Sequence, residues 1–183
     1  MSKNCIAYIG DRNKGKTERL YNKICEGLKN KKKVLVVDSA TEHYEKSIVM
    51  RLKRERGIDV HTLFLEENER ISDKNESWIF NYINDMDAQL FLFDVSYHLE
   101  RGYNYPEGEE RINERRKYKE IAMKISEVLI DRVDLIIWDE IELIQESRNI
   151  LEQINRANKK LYMTLHYTET VEDMKDYLVI ERV

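Results

Sequence analysis

Proline is almost missing from this chain: Pro106 is the single one in 183 residues, and only six glycines accompany it. That scarcity excludes proline-rich linkers and glycine-rich low-complexity tails, and no internal repeat is visible. Cysteine is equally sparse. Cys5 and Cys25 have neither metal-ligand spacing nor a disulfide framework. Both fall at or beside apolar positions of the first strand and helix that the pattern suggests, so they read as inert core thiols in a reducing compartment. No apolar run approaches the ~20 residues needed to span a bilayer, and the first apolar segment starts too early for a secretory signal. A cytoplasmic protein without membrane association is therefore expected. The formal net charge of -4 supplies no global attraction for nucleic acid, which leaves only a local basic patch for such a partner.

What is present is a globular composition, 42% hydrophobic and 36% charged, in a length that suits a single domain over residues 1–183. The chain is organised around residues 6–17. The apolar Ile6-Ala7-Tyr8-Ile9 is followed by Gly10-Asp11-Arg12-Asn13-Lys14-Gly15-Lys16-Thr17, the G-x-x-x-x-G-K-S/T spacing of a phosphate-binding loop. The spacing has a mechanical reason. A loop leaving a strand must curl so that successive backbone N–H groups point at a phosphate, which glycine permits. The following helix contributes the positive end of its dipole. In that arrangement Lys16 reaches the β/γ-phosphates and the Thr17 hydroxyl ligates Mg²⁺. Leu20, Ile24 and Leu28 recur at helical spacing directly afterwards.

Further on, a basic turn (Lys29 to Lys33) precedes Val34-Leu35-Val36-Val37-Asp38-Ser39, a continuous apolar run of the kind buried on both faces in a parallel sheet. The turn falls at the sheet edge opposite the phosphate loop, so its lysines read as helix-dipole partners rather than as a nucleic-acid patch. A helix over 42–56 is expected to stop at Gly57. Val60 to Leu65 reads as a short strand, and Trp78, Ile79, Tyr82, Ile83 and Met86 mark an amphipathic helix. Leu90-Phe91-Leu92-Phe93-Asp94 is a buried strand. Residues 96–109 form a long irregular stretch, either a lid over the phosphate edge or a surface excursion. A helix over 109–131, an apolar strand Val133 to Glu140, a helix from Ile141 to Ile154, a strand Leu161 to His166, a short helix over 169–176 and a strand Tyr177 to Ile180 complete the chain. Alternation of this kind implies an α/β three-layer αβα sandwich with a mostly parallel sheet.

Ligands of such sheets bind beyond the carboxyl ends of the strands. Gly10, Asp38, Asp94, Asp139, Glu140, Thr164 and His166 leave those ends. Asp139-Glu140 after an apolar strand resembles the Walker B element of P-loop NTPases, which implies one carboxylate to hold Mg²⁺ and a second to orient or deprotonate a water. Asp94 is its rival for the metal, but Val95 follows it in place of a second carboxylate.

With these residues in place the chain resembles a P-loop NTPase of the RecA-like, additional-glutamate class: Gly10 to Thr17 matches the Walker A loop and Asp139-Glu140 the Walker B element. The resemblance implies that residues 161–165 lie between the phosphate-loop strand and the Walker B strand, with Thr164 or His166 near the γ-phosphate as a sensor. Lys14-Gly15-Lys16-Thr17, Lys32-Lys33-Val34-Leu35-Val36-Val37 and Ile136-Ile137-Trp138-Asp139-Glu140 are also similar, in order, to P-loop corrinoid adenosyltransferases. Asp11-Arg12-Asn13 departs from that family's glycine-rich loop, and strand 90–95 has no counterpart there. Type II thymidine kinases share the same elements but carry a zinc-binding cysteine set that this sequence lacks.

The expectation is an ATP-binding protein that hydrolyses ATP with Mg²⁺. Gly10, Asp11, Arg12, Asn13, Lys14, Gly15, Lys16 and Thr17 hold the phosphates, Lys16 neutralises developing charge, Thr17 and Asp139 hold the metal, and Glu140 activates water. Arg101, Arg148 and Arg156 are the arginine-finger candidates within the chain, with a protein partner or a second copy as the other source. A transferase, moving adenosyl to a corrinoid or phosphoryl to a nucleoside, is the alternative enzyme. A nucleotide-dependent switch or assembly factor is the non-enzymatic one.

Overall fold

The computed structural model describes residues 3–11, 14–39, 47–62, 88–95, 108–140, 147–165, 171 and 174–183. The apolar runs become strands, and the described strands form one sheet. These are β1 (Cys5–Ile9), β2 (Val34–Asp38), β3 (His61–Thr62), β4 (Leu90–Asp94), β5 (Leu135–Asp139), β6 (Lys160–Leu165) and β7 (Leu178–Arg182). Their order is β3-β4-β2-β5-β6-β1-β7, and every pairing is parallel. The sheet is thus more uniform than the mostly parallel one expected. β6 does lie between β1 and β5, and β4 with β3 extends the sheet beyond β2.

Four described helices cover it: α1 (Lys16–Lys29), α2 (Ile48–Arg56), α3 (Gly108–Leu129) and α4 (Ser147–Arg156). Because successive strand residues point to opposite faces, each strand divides its side chains between two cores. On one face Val34, Val36, Leu90, Leu92, Leu135 and Ile137 pack with Leu20, Tyr21 and Ile24 of α1 and with Ile48, Val49 and Leu52 of α2. On the other, Leu35, Val37, Phe91, Phe93, Ile136 and Trp138 pack with Ala122, Ile125 and Leu129 of α3 and with Ile150, Leu151 and Ile154 of α4. Helices on both faces of one sheet make the expected three-layer αβα sandwich. Two local contacts tighten it. Gly27 lets α1 press onto the sheet, since a Cβ there would stand 2.9 Å from Leu135 Cδ2. Trp138 Nε1 donates to Ser126 Oγ at 2.9 Å, and that hydroxyl donates to Ala122 O, which ties β5 to α3 without leaving the indole unsatisfied.

Several boundaries differ from the sequence expectation. Helix α2 starts at Ile48, because Ser47 caps it by accepting from Met50 N at 3.3 Å. It ends as expected at Gly57, which adopts a left-handed φ of 62°. The expected strand 133–140 is shorter, Leu135–Asp139, and Glu140 lies outside it. The last strand runs on to Arg182 rather than stopping at Ile180. Of the expected strand 60–65, His61–Thr62 is strand, Val60 precedes it, and 63–65 lie outside the described residues. The expected helix around 78–86, residues 96–107 of the irregular stretch, and half of the short helix at 169–176 lie outside the described residues, as do Arg101 and His166. No described helix is long and apolar enough to cross a membrane.

The basic turn sits where parallel topology puts it. Lys33 N donates to Asp134 Oδ2 at 2.9 Å, and Asp134 N returns a bond to Lys33 O at 2.8 Å. Both residues precede their strands, so the turn is fixed at the amino edge, away from Gly10 to Thr17.

Candidate functional site

At the carboxyl edge β1 ends at Ile9, and the loop from Gly10 leads directly into the first turn of α1. Gly15 occupies the N-cap of α1 with φ 81° and no side-chain cap. The first turn therefore presents backbone N–H groups that no capping side chain covers, and a bound anion can use them. Lys16 is buried, 7% exposed. Its ammonium donates to Gly10 O and, at 2.9 Å, to Asp11 O. The lysine therefore folds back over its own loop, held by neutral carbonyls that a phosphate can outcompete. Lys14 and Thr17 are exposed beside it. Arg12 and Asn13 lie outside the described residues.

The start of the loop is packed from one side. Val183 N donates to Ile9 O at 2.8 Å. A Cβ on Gly10 would come within 2.5 Å of Val183 O, so residue 10 must be glycine for the chain beyond β7 to lie there.

Two strands from β1, β5 ends in Asp139, which is wholly buried. Thr164 Oγ1, from the neighbouring β6, donates to Asp139 Oδ1 at 2.5 Å. Asp139 Oδ2 is buried with no hydrogen-bond partner. Burial, with the nearby Asp38 adding to it and the Thr164 and Thr17 hydroxyls pulling the other way, leaves the Asp139 carboxyl raised to about 7. The Thr17 hydroxyl thus lies close enough to favour the Asp139 anion, although it leaves Oδ2 without a complete hydrogen bond. A buried carboxylate with one oxygen spare, next to a threonine hydroxyl at a helix start, matches the oxygen donors that a hard divalent cation takes.

Glu140 follows, half-buried, with a left-handed φ of 55°. Its N–H donates to Thr164 Oγ1 at 2.8 Å, and its carbonyl accepts from Ser39 Oγ at 2.9 Å. Thr164 therefore touches both acidic residues at once.

Asp94, Asp38 and Asp139 stand in matching register on β4, β2 and β5, all fully buried. Asp38 has a structural task, because its Oδ2 accepts from Ile48 N at the start of α2 at 3.1 Å. Asp94 is separated from β5 by β2 and lies further from the loop than Asp139 does. Among the described residues no three acidic, histidine or cysteine side chains converge as a ready metal cage.

The two described arginine candidates, Arg148 and Arg156, do not gather at this edge. Arg156 pairs with Glu152 at 2.5 Å. Its neighbour Asn155 accepts from Asn4 N, at the amino end of β1. The Arg148 guanidinium stacks 5.3 Å from the ring centre of Tyr177, which precedes β7. Helix α4 has carried Arg156 to the amino edge of the sheet, opposite the loop that begins at Gly10. The cysteines match expectation more closely: Cys5 is buried, with its thiol pushed up to about 12, and Cys25 is half-buried on α1.

Ser39 was not among the sequence candidates. The only signal for it is its place one residue beyond β2, where a parallel ladder continued onto β5 reaches the residue after Asp139. No family model matches this chain, and no curated protein matches it either.

Proposed function

We propose that this chain binds ATP through a P-loop of the RecA-like type and hydrolyses it in a Mg²⁺-dependent reaction. One observation carries the reading. The strand–loop–helix unit from Gly10 to Thr17 opens at the edge where Asp139 buries an oxygen without a partner, and Thr17 lies within electrostatic reach of that carboxylate.

In this reading the backbone N–H groups of the first turn of α1 bind the phosphates, assisted by the left-handed Gly15. Lys16 exchanges its two carbonyl acceptors for phosphate oxygens and places a positive charge where negative charge develops. Asp139 and Thr17 would hold Mg²⁺, and Thr164 keeps the Asp139 carboxylate in one orientation through Oδ1. When bound, the cation supplies charge neutralisation at the phosphate oxygens. Glu140 accepts a proton from the attacking water. The guanidinium that assists comes from residues outside those described or from a partner, a second copy included, because Arg148 and Arg156 are engaged elsewhere.

The test is incubation with ATP and Mg²⁺, alone and then with cobalamin, nucleosides or DNA, with every product identified. Free phosphate and ADP without an acceptor are expected. Release of inorganic triphosphate would instead mean adenosyl transfer, and a phosphorylated nucleoside a kinase. Nucleotide bound without turnover would leave a switch. In the hydrolase, Glu140→Gln lowers turnover by about 10²–10⁴-fold while binding persists; undiminished turnover would remove Glu140 as the base.

A further inference from the structure

We infer that Ser39 is a positioning residue for Glu140, an inference that rests on the hydrolytic reading above. Glu140 is one of three described non-glycine residues with positive φ. The others, Lys31 and Asn158, sit in the turns that precede β2 and β6 at the amino edge. Glu140 alone of the three lies at the carboxyl edge. A left-handed backbone is unfavourable for any residue with a Cβ, so the surroundings must hold it there.

Two hydroxyls from the two flanking strands supply that hold. From β6, Thr164 Oγ1 accepts the Glu140 N–H at 2.8 Å and spends its own proton on Asp139 Oδ1. From the end of β2, Ser39 Oγ lies 2.9 Å from both Asp139 O and Glu140 O and donates between them, while Ser39 N donates to Asp139 O at 3.1 Å. Both peptide groups of Glu140 are thus gripped, one from each side of β5. Ser39 and Thr164 are 1% and 0% exposed, so water does not compete for these bonds.

The grip fixes the direction in which the chain leaves β5, and with it where the Glu140 carboxylate is carried. Thr164 also orients the carboxylate assigned to the metal, so its loss would damage two functions together. These hydroxyl bonds of Ser39 go to the backbone of Asp139 and Glu140, and β5 and β6 separate Ser39 from β1 and the loop that follows it. Its hydroxyl is the part of the clamp that can be removed with nucleotide binding left in place.

The experiment compares the parent with Ser39→Ala and Ser39→Thr, the latter keeping the hydroxyl. Three quantities are read: affinity for a non-hydrolysable ATP analogue with Mg²⁺, kcat and KM for ATP, and amide hydrogen exchange in the nucleotide-free protein, residue by residue by NMR. Ser39→Ala is expected to bind the analogue within about twofold of the parent and keep its KM, yet lose about tenfold or more in kcat. The Glu140 amide should exchange about tenfold faster, with the amides of Leu135 to Trp138 unchanged. Ser39→Thr should restore both. Ser39→Cys, similar in volume but a poor donor, serves the same purpose if the alanine variant does not fold. A parental exchange rate at Glu140 overturns the proposal, and so does acceleration spread evenly along β5, which would make Ser39 merely structural. If the parent binds nucleotide but never hydrolyses it, the hydrolytic reading fails by itself, and the exchange pattern still decides whether Ser39 holds Glu140.

Discussion

Asp38 and Asp139 stand side by side in the parallel register of β2 and β5, both without solvent exposure. Burial, helped by the Asp38 charge, raises the Asp139 carboxyl from its ordinary 3.8 to about 7. The folded protein therefore holds a proton that the unfolded chain has already released between about pH 4 and pH 7. Stability from this group is complete below pH 4 and declines as pH rises to 7, then levels off. Asp139→Asn removes that slope. Above pH 7 it should melt several degrees higher than the parent, the equivalent of about 1–3 kcal/mol, and the gap should close toward pH 4. Thermal melts at pH 4, 5.5 and 8 measure it. Adding Mg²⁺ with nucleotide at pH 8 should raise the parent's midpoint by more than that of Asp139→Asn, which keeps the loop and Lys16 but lacks the carboxylate proposed to hold the cation.

That pair also marks how far the sequence could be read. The runs ending in Asp38, Asp94 and Asp139 declared buried parallel strands, because a sheet covered on both faces demands uninterrupted apolar residues. Gly57 declared a helix stop. The strand order was not readable from periodicity: β6 was placed between β1 and β5 only by resemblance, since pairing is a long-range choice that no local pattern encodes. Asp38 read as one more carboxylate at the ligand edge and turned out to anchor Ile48. Ser39 and Thr164 were harder still. Their partners lie 101 and 24 positions away in sequence, so their role exists only once β2, β5 and β6 are adjacent. Arg156 misled for a geometric reason, because ten helical residues carried it down to the amino edge.

Lys16 is a buried cation that, in the reading proposed above, exchanges its present partners for an anion. Its Nζ satisfies itself on Gly10 O and Asp11 O, so the nucleotide-free protein gains little from its charge. Lys16→Ala should leave the melting midpoint within a few degrees of the parent. It should weaken binding of a non-hydrolysable ATP analogue by about 2–3 kcal/mol, on the order of 10²-fold, the cost of losing a charge-assisted contact to phosphate. Titration calorimetry with and without Mg²⁺ checks this. Parental affinity would refute the phosphate-loop assignment itself.

Glu140 permits a direct measure of backbone strain. At φ 55° an alanine keeps the penalty that glycine lacks, about 1–2 kcal/mol. Glu140→Gly should therefore melt about 2–8 °C above Glu140→Ala, although glycine ordinarily costs more than alanine through its unfolded-state entropy. Both variants lack the carboxylate and should be equally inactive. If alanine proved the more stable of the two, residue 140 would not be left-handed in solution.

The two glycines that bracket the loop are required for different reasons, and substitutions can separate them. At Gly10 the obstacle is space, since a Cβ would press to 2.5 Å on Val183 O, a backbone atom. At Gly15 nothing stands within 4 Å, and the obstacle is the φ of 81°. Gly10→Ala should cost about 1–3 kcal/mol by overpacking, and Gly15→Ala a similar amount by strain. Asparagine tells them apart, because it tolerates the left-handed region but is larger than alanine. Gly15→Asn should recover stability relative to Gly15→Ala, whereas Gly10→Asn should fall further than Gly10→Ala. Denaturant melts on the four variants decide the point. Recovery at residue 10 would mean that the chain after β7 can step away from the loop, and that its packing there is not what requires glycine.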